Sequence, residues 1–175
     1  MENYRNVLSI RNKFYRYTFS FLFGFLRIFP GKTGNNITIM LLRIFGANLG
    51  KGCIVYSSAR IWSPKNLTMG DYSVIGPRVD IYNIDIVELG DRVQISQDVR
   101  LITASHDFNS RSHELITGPI KIRDGAWIAQ GASVLMNVVV GRNTVVAYGS
   151  IVTKSIGKSI VVAGIPAKKI KNREF

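Results

Sequence analysis

With one cysteine in 175 residues, Cys53, the chain has no disulfide framework, and a reducing compartment is the default. Acid is scarce as well: eleven Asp and Glu stand against 23 Lys and Arg, a formal net charge of +12. That balance suggests an anionic partner, whether nucleic acid, a membrane surface or a phosphorylated small molecule. Nucleic-acid readers usually add a recognisable module or exposed stacking aromatics. The chain shows neither, so no nucleic acid is expected. Long apolar runs are missing. The stretch Tyr17–Phe29 is too short for a spanning helix, which needs about 20 apolar residues, and Arg27 interrupts it. No small-x-small cleavage site follows it, as a signal peptide would require. Histidine is nearly absent: His106 and His113 both fall in TASHDFNSRSHEL (103–115).

What is present is a repeat of six. Leu, Ile, Val or Met recurs at Leu49, Val55, Ile61; Met69, Ile75, Ile81; Leu89, Ile95, Leu101; Ile122, Ile128, Val134; and Val140, Val146, Val152. Four residues after these marks, twelve of fifteen positions are small or β-branched, Ser105 among them; Lys65, Asp85 and Ile156 are the exceptions. Glycine often follows the mark directly, as at Gly70 and Gly90, where it is expected to relieve backbone strain at a turn. A period of six fits neither an amphipathic helix nor a half-buried strand. It fits a solenoid of short strands whose three hexads make one triangular coil, with large aliphatics filling the prism and small residues at its corners. Leu67-Thr68 and Val87-Glu88 lengthen coils one and two equally.

This pattern predicts an all-β solenoid of about five coils over residues 49–157. An inserted loop at 107–121 interrupts it, a helical segment over 1–48 precedes it, and an extension over 158–175 follows. Asn35 or Asn36 would cap a helix through Ile37–Phe45. Eight Lys or Arg lie within residues 1–52, against the single acid Glu2. Residues 11–29 therefore have two readings: a helix packed on the domain or on a neighbouring subunit, or one leaning on an anionic membrane with help from Arg11, Lys13 and Arg16. The location that follows is cytoplasmic, or peripheral on the inner face of the membrane.

The hexads resemble the [LIV]-G-x-x-[small]-x pattern of the hexapeptide-repeat acyltransferases. RIFGANLGKG (43–52), ITASHDF (102–108), the segment 118–156 and VVAGIPAKKIK (161–171) sharpen that resemblance, which covers roughly residues 40–170. It is closest to sugar O-acetyltransferases of the colanic acid biosynthesis type. The resemblance implies a left-handed parallel β-helix, a homotrimer with each site between two prisms, acetyl-CoA as co-substrate, a sugar acceptor and no catalytic metal.

Acetyl transfer from a thioester needs a base for the attacking hydroxyl and stabilisation of the oxyanion. His106, in the stretch that resembles the family's catalytic-histidine segment, is the expected base; His113 is read as an exposed loop histidine. Tyr82, Asn83 and Asp85, one coil earlier, are candidates for the acceptor's hydroxyls, with Asp107 and Glu114 from the loop. Asp85 cannot be buried without a partner, so its corner is expected to open. A backbone carbonyl could orient His106 as well as either loop acid could. By resemblance, Trp127, Ala129, Ala147, Thr153, Lys154, Gly164, Pro166 and Lys168 approach coenzyme A, with Lys168 or Lys169 near a phosphate. Cys53 is expected to be a core thiol rather than a nucleophile.

Four alternatives carry their own signals. A γ-type carbonic anhydrase needs three histidines for zinc, and only two exist. A serine acetyltransferase carries a larger helical domain than about 48 residues supply. An amine or amino-acid acceptor, and a non-catalytic scaffold at a membrane surface, remain as readings that experiment separates.

Overall fold

The computed structural model describes residues 9–26 and 31–174. Parts of two expectations, the helical segment over 1–48 and the membrane contact over 11–29, lie outside those residues. Within them the chain forms two helices and then a triangular prism of short parallel strands.

The three faces stack as the hexads predict. The first comprises Asn48–Leu49, Leu67–Met69, Val87–Leu89, Ile120–Ile122 and Val139–Val140. The second runs through Ile54–Val55, Val74–Ile75, Gln94–Ile95, Trp127–Ile128, Val145–Val146 and Ile160–Ala163. The third holds Arg60–Ile61, Asp80–Tyr82, Arg100–Ile102, Ser133–Leu135 and Ile151–Val152. Every marked aliphatic is buried, and the corner column from Cys53 to Ser150 is buried with it, apart from Ser105. The corner hydroxyls are paired: Ser73 Oγ donates to the Gly90 carbonyl at 2.6 Å, and Thr144 Oγ1 to that of Gly157 at 2.6 Å. A polar corner therefore joins one coil to the next at little desolvation cost.

Register follows coil length. Facing residues differ by 20 through the first three coils (Leu49, Met69, Leu89). They differ by 33 across the insertion on all three faces (Leu89↔Ile122, Ile95↔Ile128, Leu101↔Val134). The step is then 18 (Ile122↔Val140) and finally 16 (Val140↔Ile156, Val146↔Val162). The last step corrects the expected exit near residue 157. Ile156 begins a partial sixth coil, which is why it departs from the small-residue column. The extension then doubles back as Lys168–Asn172, antiparallel to Ile160–Ala163.

The glycines at 70 and 90 have a different cause from the one expected. Neither takes a positive φ. A Cβ at either would collide with the carboxylate of the next coil, Asp91 above Gly70 and Asp124 above Gly90. Those carboxylates form a ladder of their own: Asp91 Oδ1 accepts from the Asp71 amide at 2.8 Å, and Asp124 Oδ1 from that of Asp91 at 3.1 Å.

The helices close the open end of the prism. Helix α1, Ile10–Phe25, is capped by Ser9 Oγ, which accepts from the Asn12 amide at 3.2 Å. It buries Phe19 and Phe23, with Phe19 5.3 Å from the Phe45 ring. Helix α2, Gly31–Ile44, begins earlier than the Asn35/Asn36 cap expected from sequence. Asn35 lies inside it, where Oδ1 accepts from the Val55 amide at 2.8 Å and Nδ2 donates to the Cys53 carbonyl at 3.5 Å. It satisfies the exposed ladder edge of the first coil, as terminal caps of solenoids must.

Candidate active site

The hexad beat stops earlier than the sequence suggests. Thr103 is buried; its Oγ1 donates to the Tyr82 carbonyl at 2.9 Å and accepts from the Asp85 amide at 3.0 Å. The next residues leave the prism. Ala104–His106 pairs antiparallel with Leu115–Thr117, so the expected loop over 107–121 is a hairpin that re-enters the prism by Ile120. Ser105 is accordingly exposed and not in the corner column.

His106 ends the outgoing strand. Its Nδ1–H donates to the His113 carbonyl across the hairpin at 2.6 Å. That bond sets the tautomer, with the lone pair on Nε2, the arrangement a general base requires. His113 presents that carbonyl from a left-handed backbone conformation, φ +47. The second histidine thus serves the first through its main chain, and a carbonyl has no sequence signal. Both loop acids bond within the hairpin. Asp107 Oδ1 accepts from the Asn109 amide at 2.9 Å, and Glu114 Oε1 from Ser112 Oγ at 3.0 Å, so both brace the hairpin tip.

The acceptor candidates divide. Asn83 is fully buried, and its Oδ1 and Nδ2 bond the Ser63 amide and carbonyl at 3.0 and 2.7 Å. It ties coil two to coil one and presents no polar atom to a cleft, which corrects its reading as a substrate contact. Asp85 is half-buried and Oδ1 accepts from the Ile86 amide at 2.6 Å, so its corner does open. Tyr82 faces outward on the third face, edge-on to Trp62 with ring centroids 4.9 Å apart. The Arg16 guanidinium of α1 lies 3.2 Å over Trp62. Together with Phe19, Arg60 and Asp80 these side chains line a groove of about 420 Å³ between α1 and the third face. Trp62 was legible in principle, because it holds the same hexad position as Tyr82 one coil earlier. Arg16 was not, because nothing local places a helix over that face.

The coenzyme candidates fall on two edges. Ala129 and Ala147 stack at the corner between the second and third faces, through Ala129 N–H to the Val146 carbonyl and Ala147 N–H to that of Val162, both 2.9 Å. Gly164 and Pro166 continue that corner; the Ile151 amide donates to the Gly164 carbonyl at 3.1 Å. Trp127 stands beside it with Nε1 donating to Ser96 Oγ at 2.9 Å. Thr153 and Lys154 instead follow the third face, on the edge from which the His106 hairpin leaves two coils earlier. Lys168 is exposed on the returning strand. Among the described residues, no His, Cys, Asp and Glu side chains cluster to hold a metal ion. Burial pushes the Cys53 thiol up, and Sγ donates to the Gly70 carbonyl at 3.2 Å.

A parallel prism of hexads with a histidine hairpin at one edge defines an acyltransferase of the hexapeptide class. The protein of Escherichia coli K12 named as colanic acid biosynthesis acetyltransferase WcaF is 38% identical over 133 residues, 76% of this chain and 73% of that one. The chain belongs to the hexapeptide-repeat acetyltransferase family. Its fold is shared with a hexapeptide-repeat acetyltransferase of Vibrio cholerae complexed with acetyl coenzyme A: TM-score 0.82, 22% identity, over 95% of this chain and 91% of that one. It is also shared with a galactoside acetyltransferase in complex with coenzyme A, at TM-score 0.85 and 21% identity, over 97% and 86%. The prism is therefore a left-handed parallel β-helix. No family model matches the chain.

Proposed function

We propose that the chain transfers an acetyl group from acetyl-CoA to a hydroxyl of a sugar or glycan precursor, with His106 as general base in a ternary complex. The observation that carries this reading is the 2.6 Å bond from His106 Nδ1 to the His113 carbonyl. Nε2 takes the acceptor's hydroxyl proton as the oxygen attacks the thioester carbonyl, and the imidazolium then returns it to the departing sulfur. No acyl-enzyme is needed, and Cys53, buried in coil one and held as a neutral thiol, is unsuited to forming one. The acceptor lies toward Tyr82 and the open corner at Asp85. The small, half-buried Ala129 and Ala147 leave room for a slender pantetheine arm, with Thr153, Lys154, Gly164, Pro166 and Lys168 around it.

The alanine edge and the histidine edge are separated by the third face of one prism. A homotrimer, in which neighbouring prisms face each other, brings one chain's His106 to the next chain's alanine edge. With a lipid-linked acceptor, the enzyme would work at the inner face of a membrane.

The test is coenzyme A release from acetyl-CoA with a panel of sugar acceptors. His106→Ala is expected to lower the rate about 10²- to 10⁴-fold while the melting temperature holds. Full activity in that variant would refute the assignment. Turnover with amines or amino acids but with no sugar would overturn the acceptor class.

A further inference from the structure

Helix α1 has two apolar sides, and the prism uses only one. Phe19 and Phe23 point inward, at 1% and 4% exposure. Ile10, Phe14, Tyr17 and Phe21 run along the opposite side at intervals of four, three and four, and are 86, 74, 75 and 77% exposed. At 3.6 residues per turn they form one stripe, and Arg11 and Lys13 lie about 80° to either side of it. Acid is absent from the chain around it: between Glu2 and Asp71 the sequence holds ten Lys or Arg and no Asp or Glu, and the acid that lines the groove beneath α1, Asp80, pairs with Arg60. No helix among the described residues is long and apolar enough to cross a membrane.

We propose that α1 lies flat on an anionic lipid leaflet, with Ile10, Phe14, Tyr17 and Phe21 in the acyl boundary and Arg11 and Lys13 at the headgroups. Aromatic and aliphatic side chains between flanking cations are the arrangement that holds an amphipathic helix in the interface. Charge decides between this occupant and a second copy of the same helix. Two copies would set the cations of two acid-free segments against each other, whereas phosphate headgroups neutralise them. The same helix walls the Arg16–Trp62–Tyr82 groove on its inner side. Tyr82, which lines that groove, accepts at its carbonyl from Thr103, the residue before the His106 strand. On the acceptor reading above, a sugar carried on a membrane lipid would pass along the helix that anchors the enzyme.

The experiment is co-sedimentation of the full chain with vesicles of phosphatidylcholine alone or mixed with phosphatidylglycerol. Binding is expected to the mixed vesicles only, to weaken with added salt, and to fall about tenfold or more in Phe14→Gln/Phe21→Gln. Light scattering should give that variant the wild-type mass. Arg11→Gln/Lys13→Gln, which leaves the inner packing untouched, should weaken binding and blunt its salt dependence. Absence of binding to the mixed vesicles would overturn the proposal, as would a stripe variant that binds normally but loses its oligomeric mass. Vesicle binding needs neither donor nor acceptor, so it can fail while acetyl transfer stands, and the reverse.

Discussion

Single residues carry the chemistry, and their environments predict their behaviour. His106 is held by a main-chain carbonyl, so trimming Glu114 or Asp107 should leave the base in place, while moving the carbonyl should not. Glu114→Gln is expected to keep the rate within about threefold, because the imidazole is held by a main-chain carbonyl and Glu114 Oε1 bonds Ser112 instead. His113→Gly keeps the carbonyl and tolerates the positive φ, so it should retain most activity; His113→Pro, whose ring fixes φ near −65°, should abolish it. An acetyl-transfer assay on the three variants separates main-chain from side-chain roles. Cys53 offers a second check. Its folded thiol titrates above its unfolded value, so the folded state retains a proton that the unfolded state releases. The stability this confers is present below the unfolded thiol's pKa, near 8.5, and is lost as pH rises above it. Maleimide labelling at pH 8 should be slow in the native protein and immediate in denaturant.

At the scale of elements, what the sequence revealed was whatever repeats. The marked aliphatics from Leu49 to Val152 and the corner residues from Cys53 to Ser150 could be assigned because each repeats the same demand of the prism, a filled centre and a narrow corner. Ser105 was misplaced because a hairpin that leaves at Ala104 satisfies its own backbone and has no need of the period. Gly70 and Gly90 were recognised but misexplained, since the carboxylate that crowds each belongs to the next coil, one ladder step away in space but a whole coil away in sequence, at Asp91 and Asp124. Asn83 and Asn35 show the same limit. Asn83 reads as an acceptor contact and Asn35 as a helix cap, yet each satisfies main-chain groups of a coil to which it does not belong. Asn35→Ala should strip the Val55 amide of its acceptor at the exposed end of the ladder. A loss of about 1–3 kcal/mol is expected, read as a lower melting temperature with acetyl transfer unchanged at room temperature.

On the proposed reading the two half-sites lie apart on one chain, and that separation is testable. His106→Ala removes the base, and Ala147→Trp obstructs the alanine edge, so each protein alone should be inactive. If the working site pairs one chain's histidine with the next chain's alanine edge, unfolding and reannealing an equal mixture should restore about a quarter of the wild-type rate, the share of interfaces with both halves intact. No recovery on mixing would mean that one chain supplies both halves. The remaining consequence concerns the hairpin. The displacement it introduces is 33 residues on the first face, the second and the third alike. The prism therefore does not sense what is inserted there; its fourth coil stacks as though the excursion had no length. Residues 104–117 are in effect a cassette: apart from His106 and the His113 carbonyl that holds it, their length and sequence can change without renegotiating the scaffold.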